Sequence, residues 1–249
     1  MPPMLGPIPP REGAAKACAA QIRAAILRGE LAAGSRLPPE RALAGTLGVN
    51  RATVRAALHE LEQAGLVTAR QGSGYAVHDY RSAGGPDLLG PLADVARDEG
   101  RLAELAADLL AVRRHLARAV LERLAGRRVP RAARERLAAR IDELAAAVEA
   151  GAPLAAIAQA DLAITACLLD ATESPALRLF WNPAASVLAR VPELAAAVYA
   201  TPADNVAGWR ALAAMLDAQA LDVDVMLGAL EARDRDVVLR LRRAKGGRS

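Results

Sequence analysis

Lysine is almost missing from this chain: Lys16 and Lys245 are the only two, so arginine carries nearly all of the positive charge. Alanine fills most of the small apolar positions, and the pair of biases reads as the codon usage of a GC-rich genome rather than as function. The scarcity still excludes one chemistry, since the C-terminal half has no lysine in its interior, only Lys245 near the end, to form a Schiff base. Aromatic residues make up 2% of the chain. With Ala, Leu, Arg and Glu abundant, this argues for helix over sheet along most of its length. Two cysteines, Cys18 and Cys167, lie far apart within apolar helical patterns and read as small core residues of a reducing compartment, not as a disulfide framework. No run of eighteen apolar residues is free of charge, and Met1 to Pro10 is proline-rich, so neither a membrane span nor a secretion signal is expected and the protein is predicted to be cytoplasmic. No P-loop, GxGxxG or metal motif occurs. Lys+Arg number 32 against 28 Asp+Glu, a formal charge of +4. That is too small for bulk electrostatic binding of nucleic acid, so any such contact must be local.

What is present suggests two domains. Residues 1–13 carry five prolines and predict a flexible arm. Cys18, Ile22 and Ile26 then repeat every four residues up to Arg28, with Gly29 as a stop, which gives a first helix. Gly34 to Arg41 reads as a turn running into a second, short helix with Leu43 and Leu47 inward and a proline at its first position. Gly48 permits a tight turn, and Asn50 is a good N-cap for a third helix whose Val54, Leu58 and Leu61 share one face. Arg51, Arg55, His59 and Glu62 lie opposite. Leu66 to Val77 reads as two short strands joined by a glycine-rich turn. Three helices and a β-hairpin in this order make a winged helix-turn-helix over residues 14–78. Residues 79–90 suit a linker, and 91–245 carry only helical seams cut by Gly and Pro, an all-α bundle of six or seven helices.

In such a domain the third helix would enter the major groove, where guanidinium groups pair bidentately with guanine. Arg51 and Arg55 stand at its N-terminal end with Asn50 and Thr53, Arg41 opens the preceding helix, and Arg70-Gln71-Gly72-Ser73-Gly74 offers a wing tip. Two arginines four residues apart are also what an ordinary solvated helix face shows. The complete order of elements is what turns the reading towards DNA.

Ser35-Arg-Leu-Pro-Pro-Glu-Arg-Ala-Leu-Ala44, Leu47-Gly-Val-Asn-Arg-Ala-Thr-Val-Arg-Ala-Ala-Leu-His-Glu-Leu-Glu-Gln-Ala-Gly-Leu-Val67 and Arg70-Gln-Gly-Ser-Gly74 resemble the DNA-binding domain of the GntR family. The resemblance implies that Arg41, Arg51 and Arg55 read bases or phosphates. It places Asn50 and Thr53 at the helix end and Gln71 with Gly72 at the wing tip, while Ala52 stands where a hydroxyl is often found. The helical remainder resembles the FadR branch of that family through Leu109 to Arg114, Asp161 to Pro175 and Trp209 to Leu212. Many members of that branch hold a metal with one Asp and three His. Here Thr165 and Arg210 stand at two of those His positions and His115 is the one imidazole of the domain, so the resemblance is closer to a metal-free, acyl-CoA-responsive regulator, and no cofactor is expected.

Asp161 interrupts an apolar seam of Leu154, Ile157, Ile164 and Leu168, where an unpaired carboxylate is costly. Arg113 and Arg210 border neighbouring seams. Either one of them forms a structural ion pair with Asp161, or the arginines face a cavity and hold an anionic effector such as a carboxylate or a CoA phosphate. The chain as a whole reads as a homodimeric regulator of a double-stranded operator, responsive to a small anionic metabolite. An effector-free architectural DNA-binding dimer and a helical enzyme are the alternative classes.

Overall fold

The computed structural model describes residues 12–70 and 74–246 of the chain, which divides into two compact units, Met1–Val95 and Ala96–Ser249. Residues 1–11 of the expected arm, and Gln71 and Gly72 of the expected wing tip, lie outside the described residues.

In the first unit α1 (Glu12–Arg28) turns Cys18, Ala19, Ile22 and Ile26 inward, as its four-residue apolar spacing requires. Helix α2 (Glu40–Leu47) starts one residue later than the proline signal implied. Pro39, at φ −55° and ψ 147°, is the N-cap itself, because the residue before a helix takes an extended ψ that proline adopts freely. The helix ends at Gly48, whose φ of 64° is left-handed and frees the chain to turn within two residues into α3 (Arg51–Gln63). Val54, Leu58 and Leu61 of α3 are almost wholly buried. Truncating any one of them would cost about 2–5 kcal/mol.

Strands β1 (Val67–Arg70) and β2 (Gly74–Val77) pair antiparallel, Val67 opposite Val77 and Arg70 opposite Gly74. Residues 34–37 join β2 through an isolated bridge between Arg36 and Ala76. The Leu37 amide donates to the Tyr75 carbonyl at 2.9 Å, the Val77 amide to Ser35 at 2.9 Å and the Gly34 amide to Val77 at 2.8 Å. Only four residues long and followed by two prolines, this segment carries no alternation that marks it in the sequence. Where a linker was expected, α4 (Tyr80–Ala83) follows, capped by Asp79, and then a turn that places Leu88 in the core of this unit with Tyr80 packed beside it.

Helix α5 (Leu89–Asp98) spans the division between the units. Seven helices follow among the described residues: α6 (Leu102–Ala125), α7 (Arg131–Glu149), α8 (Leu154–Ala171), α9 (Pro175–Arg190), α10 (Pro192–Val198), α11 (Pro202–Asp217) and α12 (Val223–Gly246). Helix α6 runs along α12, and α7 packs on α8 and α11. Helix α8 is the one helix among the described residues long and apolar enough to cross a membrane, and it carries Asp161 and Asp170 and packs against α7 and α9. The two cysteines are free, and burial pushes both thiols up from their ordinary value.

Candidate functional site

The outward face of α3 is set by what the inward face buries. With Thr53, Val54, Ala57, Leu58 and Leu61 turned in, Arg51, Ala52, Arg55, Ala56 and His59 are exposed along one side. Asn50 fixes the helix start: its Oδ1 accepts from the Thr53 amide at 2.8 Å and from the Thr53 hydroxyl at 3.1 Å. Thr53 is thereby buried, and its side chain serves the cap. Arg55 donates from Nη2 to Glu40 Oε2 at 2.9 Å and from Nε to Oε1 at 3.3 Å, tying α3 to the first residue of α2. The guanidinium of Arg55 beside Glu40 holds that carboxyl below the usual range, with Arg51 adding to the effect. Arg41, Arg51 and Arg70 are exposed and have no ion-pair partner among the described residues. Glu62 accepts from the Ala69 amide at 2.9 Å, fastening β1 to the end of α3. The result is a helix end with exposed guanidinium forks, braced by a hairpin. That geometry suits base-edge and phosphate recognition.

A second candidate lies within the helical unit, a cavity of about 210 Å³ between α6, α8, α9, α10, α11 and α12. Its walls are mostly leucine, valine and tryptophan, and its polar groups gather on Arg113, Asp161, Thr165, Tyr199, Asn205 and Arg233. Of the two readings of Asp161, the ion pair with Arg113 or Arg210 is not formed. Asp161 instead accepts from the Trp209 indole at 2.6 Å and from the Tyr199 hydroxyl at 3.0 Å. Burial, reinforced by Asp161, pushes the Tyr199 hydroxyl far above its ordinary value, which keeps it protonated as a donor. Thr165 turns its hydroxyl back to the Asp161 carbonyl at 3.4 Å.

Arg113 takes a different carboxylate. Its Nη2 lies 2.5 Å from Asp234 Oδ1, while Arg114 Nη1 lies 2.7 Å from Oδ2 of the same residue, which is 3% exposed. Arg113 Nε and Asn205 Nδ2 are buried donors without a partner. Arg210, expected in this site, is exposed and outside the cavity lining. On α11 the lining residues Asn205, Gly208, Trp209 and Leu212 form one stripe at helical spacing, and residue 210 falls off it. Arg233 lines the cavity in its place, on a like stripe of Met226, Ala229 and Leu230. Those stripes were the signal that would have found Asn205 and Arg233.

The residues do not fit a metal. His115 is exposed on α6 away from the cavity, whose lining holds one carboxylate and no imidazole. That carboxylate already has both oxygens engaged by protein donors.

A winged helix with an arginine-lined third helix, joined in one chain to a helical bundle enclosing a cavity, defines a two-part protein of the ligand-responsive DNA-binding class. Residues 14–77 match the family described as bacterial regulatory proteins, gntR family, and residues 108–223 match the FCD domain. The chain belongs to the GntR family, with an FCD domain as its helical unit. It is 51% identical over 69 residues to the HTH-type transcriptional regulator Mce2R of Mycobacterium tuberculosis, covering 28% of this chain and 29% of that protein. It is 43% identical over 81 residues to the Uxu operon transcriptional regulator of Escherichia coli, covering 32% of this chain and 31% of that one. The matched stretch thus spans about a third or less of these relatives, which are named as transcriptional regulators and not as enzymes. The fold is shared with a solved structure described by the statement that Lar controls the expression of the Listeria monocytogenes agr system and mediates virulence, at 16% identity and TM-score 0.58 over 92% of this chain and 96% of that one.

Proposed function

We propose that this chain is a sequence-specific transcription regulator of the cytoplasm that binds an operator as a homodimer and responds, without a metal, to a small anionic metabolite held in its helical unit. The observation that carries the DNA reading is the capped N-terminus of α3, with Arg51 and Arg55 exposed on the face opposite the core. A single winged helix makes few base contacts, and two half-sites multiply affinity, so a dimer on a pseudo-palindromic operator follows. The working division is a DNA-binding domain over residues 14–78, a connection at 79–90 and an effector domain at 91–245. Arg41, Arg51 and Arg55 serve as readers, and Asn50 with Thr53 as the clasp that holds the helix end. Gln71 and Gly72 serve at the wing tip.

The effector reading is supported by the cavity with Arg113 and Arg233 in its lining. A ligand there changes DNA binding only by its differential affinity for two conformations of the dimer. The test is binding to the protein's own promoter fragment, scored by gel shift and sedimentation, with a metabolite panel added. Failure to bind that DNA, or a monomer both free and on DNA at micromolar concentration, refutes the reading.

A further inference from the structure

We infer that the ligand of the helical unit is an apolar monocarboxylate, an aliphatic or aromatic acid, with its carboxylate between Arg113, Arg233 and Asn205 and its hydrocarbon body against the leucine walls. This rests on the effector reading above and narrows it to one chemical class.

The charge in the cavity comes close to balance without a ligand, and the remainder is positive. Asp234 is shared by Arg113 and Arg114, two positive charges on one carboxylate, while Asp161 takes neutral donors from Tyr199 and Trp209 and its charge stands against that of Arg233. Arg233 has no ion-pair partner among the described residues. One further negative charge therefore completes the site, and a second would meet Asp161. The donors already waiting are Arg113 Nε and Asn205 Nδ2, both buried and unpartnered. Asn205 is 1% exposed. A buried donor left without an acceptor is costly, and a carboxylate offers the lone pairs that two or three such donors need.

The walls decide the rest of the ligand. Leu109, Leu121, Leu168, Leu188, Leu212 and Leu230 offer no hydrogen bond from their side chains. A sugar acid would bury its hydroxyl groups against them unpaired, at a cost that an aliphatic or aromatic body avoids. The volume of about 210 Å³ lies below the roughly 300–1,000 Å³ of pockets that enclose drug-sized ligands. A CoA thioester, with its nucleotide and several phosphates, exceeds both the space and the available positive charge.

Trp181 and Trp209 are the only tryptophans of the chain and both line the cavity, so intrinsic fluorescence reports its occupancy. Octanoate and phenylacetate are titrated into the full-length protein beside methyl octanoate, glucuronate and octanoyl-CoA. At least one of the two acids should give a saturable change, and methyl octanoate should bind about 10-fold or more weakly than octanoate, the loss expected when a hydrogen-bonded charge is removed. Arg233→Gln should weaken the acid about 10-fold and leave the melting temperature in place, because this side chain has no ion pair to lose in the free protein, and Asn205→Ala should weaken the acid by a like factor while lowering the melting temperature as a truncated buried side chain does. Equal binding of acid and ester, tighter binding of glucuronate or octanoyl-CoA, or no response to either acid overturns the assignment. If the wild-type protein still binds its operator in those cases, the ligand class alone has failed; if it does not, the regulator reading has failed with it.

Discussion

Arg55 and Glu40 meet edge to edge between α3 and the first residue of α2, Nη2 2.9 Å from Oε2 and Nε 3.3 Å from Oε1. The Nε edge of the guanidinium is held by the carboxylate, which leaves Nη1 and the other side of the fork facing outward. Arg55→Ala should weaken operator binding by about 1–3 kcal/mol and blur one base-pair position per half-site. Glu40→Gln should blur the same position while raising sequence-independent affinity, because a negative charge leaves the DNA-facing surface. Binding curves on operator and scrambled DNA distinguish the two effects. Acid should act like Glu40→Gln. The Glu40 carboxyl is held low by Arg55, so the pair is intact above the ordinary carboxylate value and is lost as pH falls through its depressed one.

Asn50→Ala removes the acceptor of both the Thr53 amide and the Thr53 hydroxyl. A lost N-cap costs about 1 kcal/mol. The melting temperature of the first unit should drop, and operator affinity should fall with it, since the first turn of α3 carries Arg51. Asn50→Asp keeps an acceptor at the same place and should restore the stability. An unchanged melting temperature for Asn50→Ala would mean that the cap is not formed in solution.

The DNA-facing half of the molecule was legible because its information is local. Apolar spacing, the Asn50 cap and the glycine at 48 each act within a few residues, and they place α1 to α3 and the wing with little outside help. The exceptions in that unit are the segment at residues 34–37, whose bridge at Arg36 is made by its partner β2, and residues 79–90, read as a linker, where α4 and the buried Leu88 belong to the same unit. In the helical unit the seams were legible but their meetings were not. Asp161 stood out as a carboxylate on an apolar seam, yet its partners Tyr199 and Trp209 lie 38 and 48 residues away on other elements. Asp234 breaks the seam of Leu230, Val237 and Leu241 in the same way, and that signal was available; its pairing with Arg113, 121 residues distant, was not. Periodicity tells which side of a helix turns inward but not what it meets there. For that reason the lining holds Arg233 and not Arg210, which is next in sequence to Trp209.

Asp234→Asn leaves Arg113 and Arg114 facing an amide in place of a buried carboxylate. Removing one partner of a buried ion pair costs about 3–5 kcal/mol, and the partial exposure of both arginines places this substitution towards the lower end. Chemical denaturation should show the loss. Since α6 and α12 run along each other through this contact, the cavity response to ligand should weaken as well.

Elemental analysis of the purified protein should find no stoichiometric zinc, nickel or manganese, and chelator should leave both operator binding and ligand response unchanged. The ground is the donor set: one exposed imidazole in the helical unit and one carboxylate in the cavity, already bonded. A metal bound at one equivalent in the helical unit would refute the metal-free reading.

Tyr199 gives the last prediction, an alkaline one. Its hydroxyl donates to Asp161 at 3.0 Å from a buried position, and burial and the neighbouring carboxylate both oppose the phenolate. The folded protein therefore keeps this proton where the unfolded chain gives it up. The sign follows: the contribution to stability is complete below the ordinary tyrosine value near 10 and declines as pH rises beyond it, because the unfolded state then binds fewer protons than the native one. Ultraviolet titration should show one of the three tyrosines ionising only as the protein unfolds. Tyr199→Phe should abolish that late step, and Asp161→Asn should move it to lower pH by removing the negative charge while keeping the side-chain volume. If the late step persists in Tyr199→Phe, the hydrogen bond between Tyr199 and Asp161 is not what holds the proton.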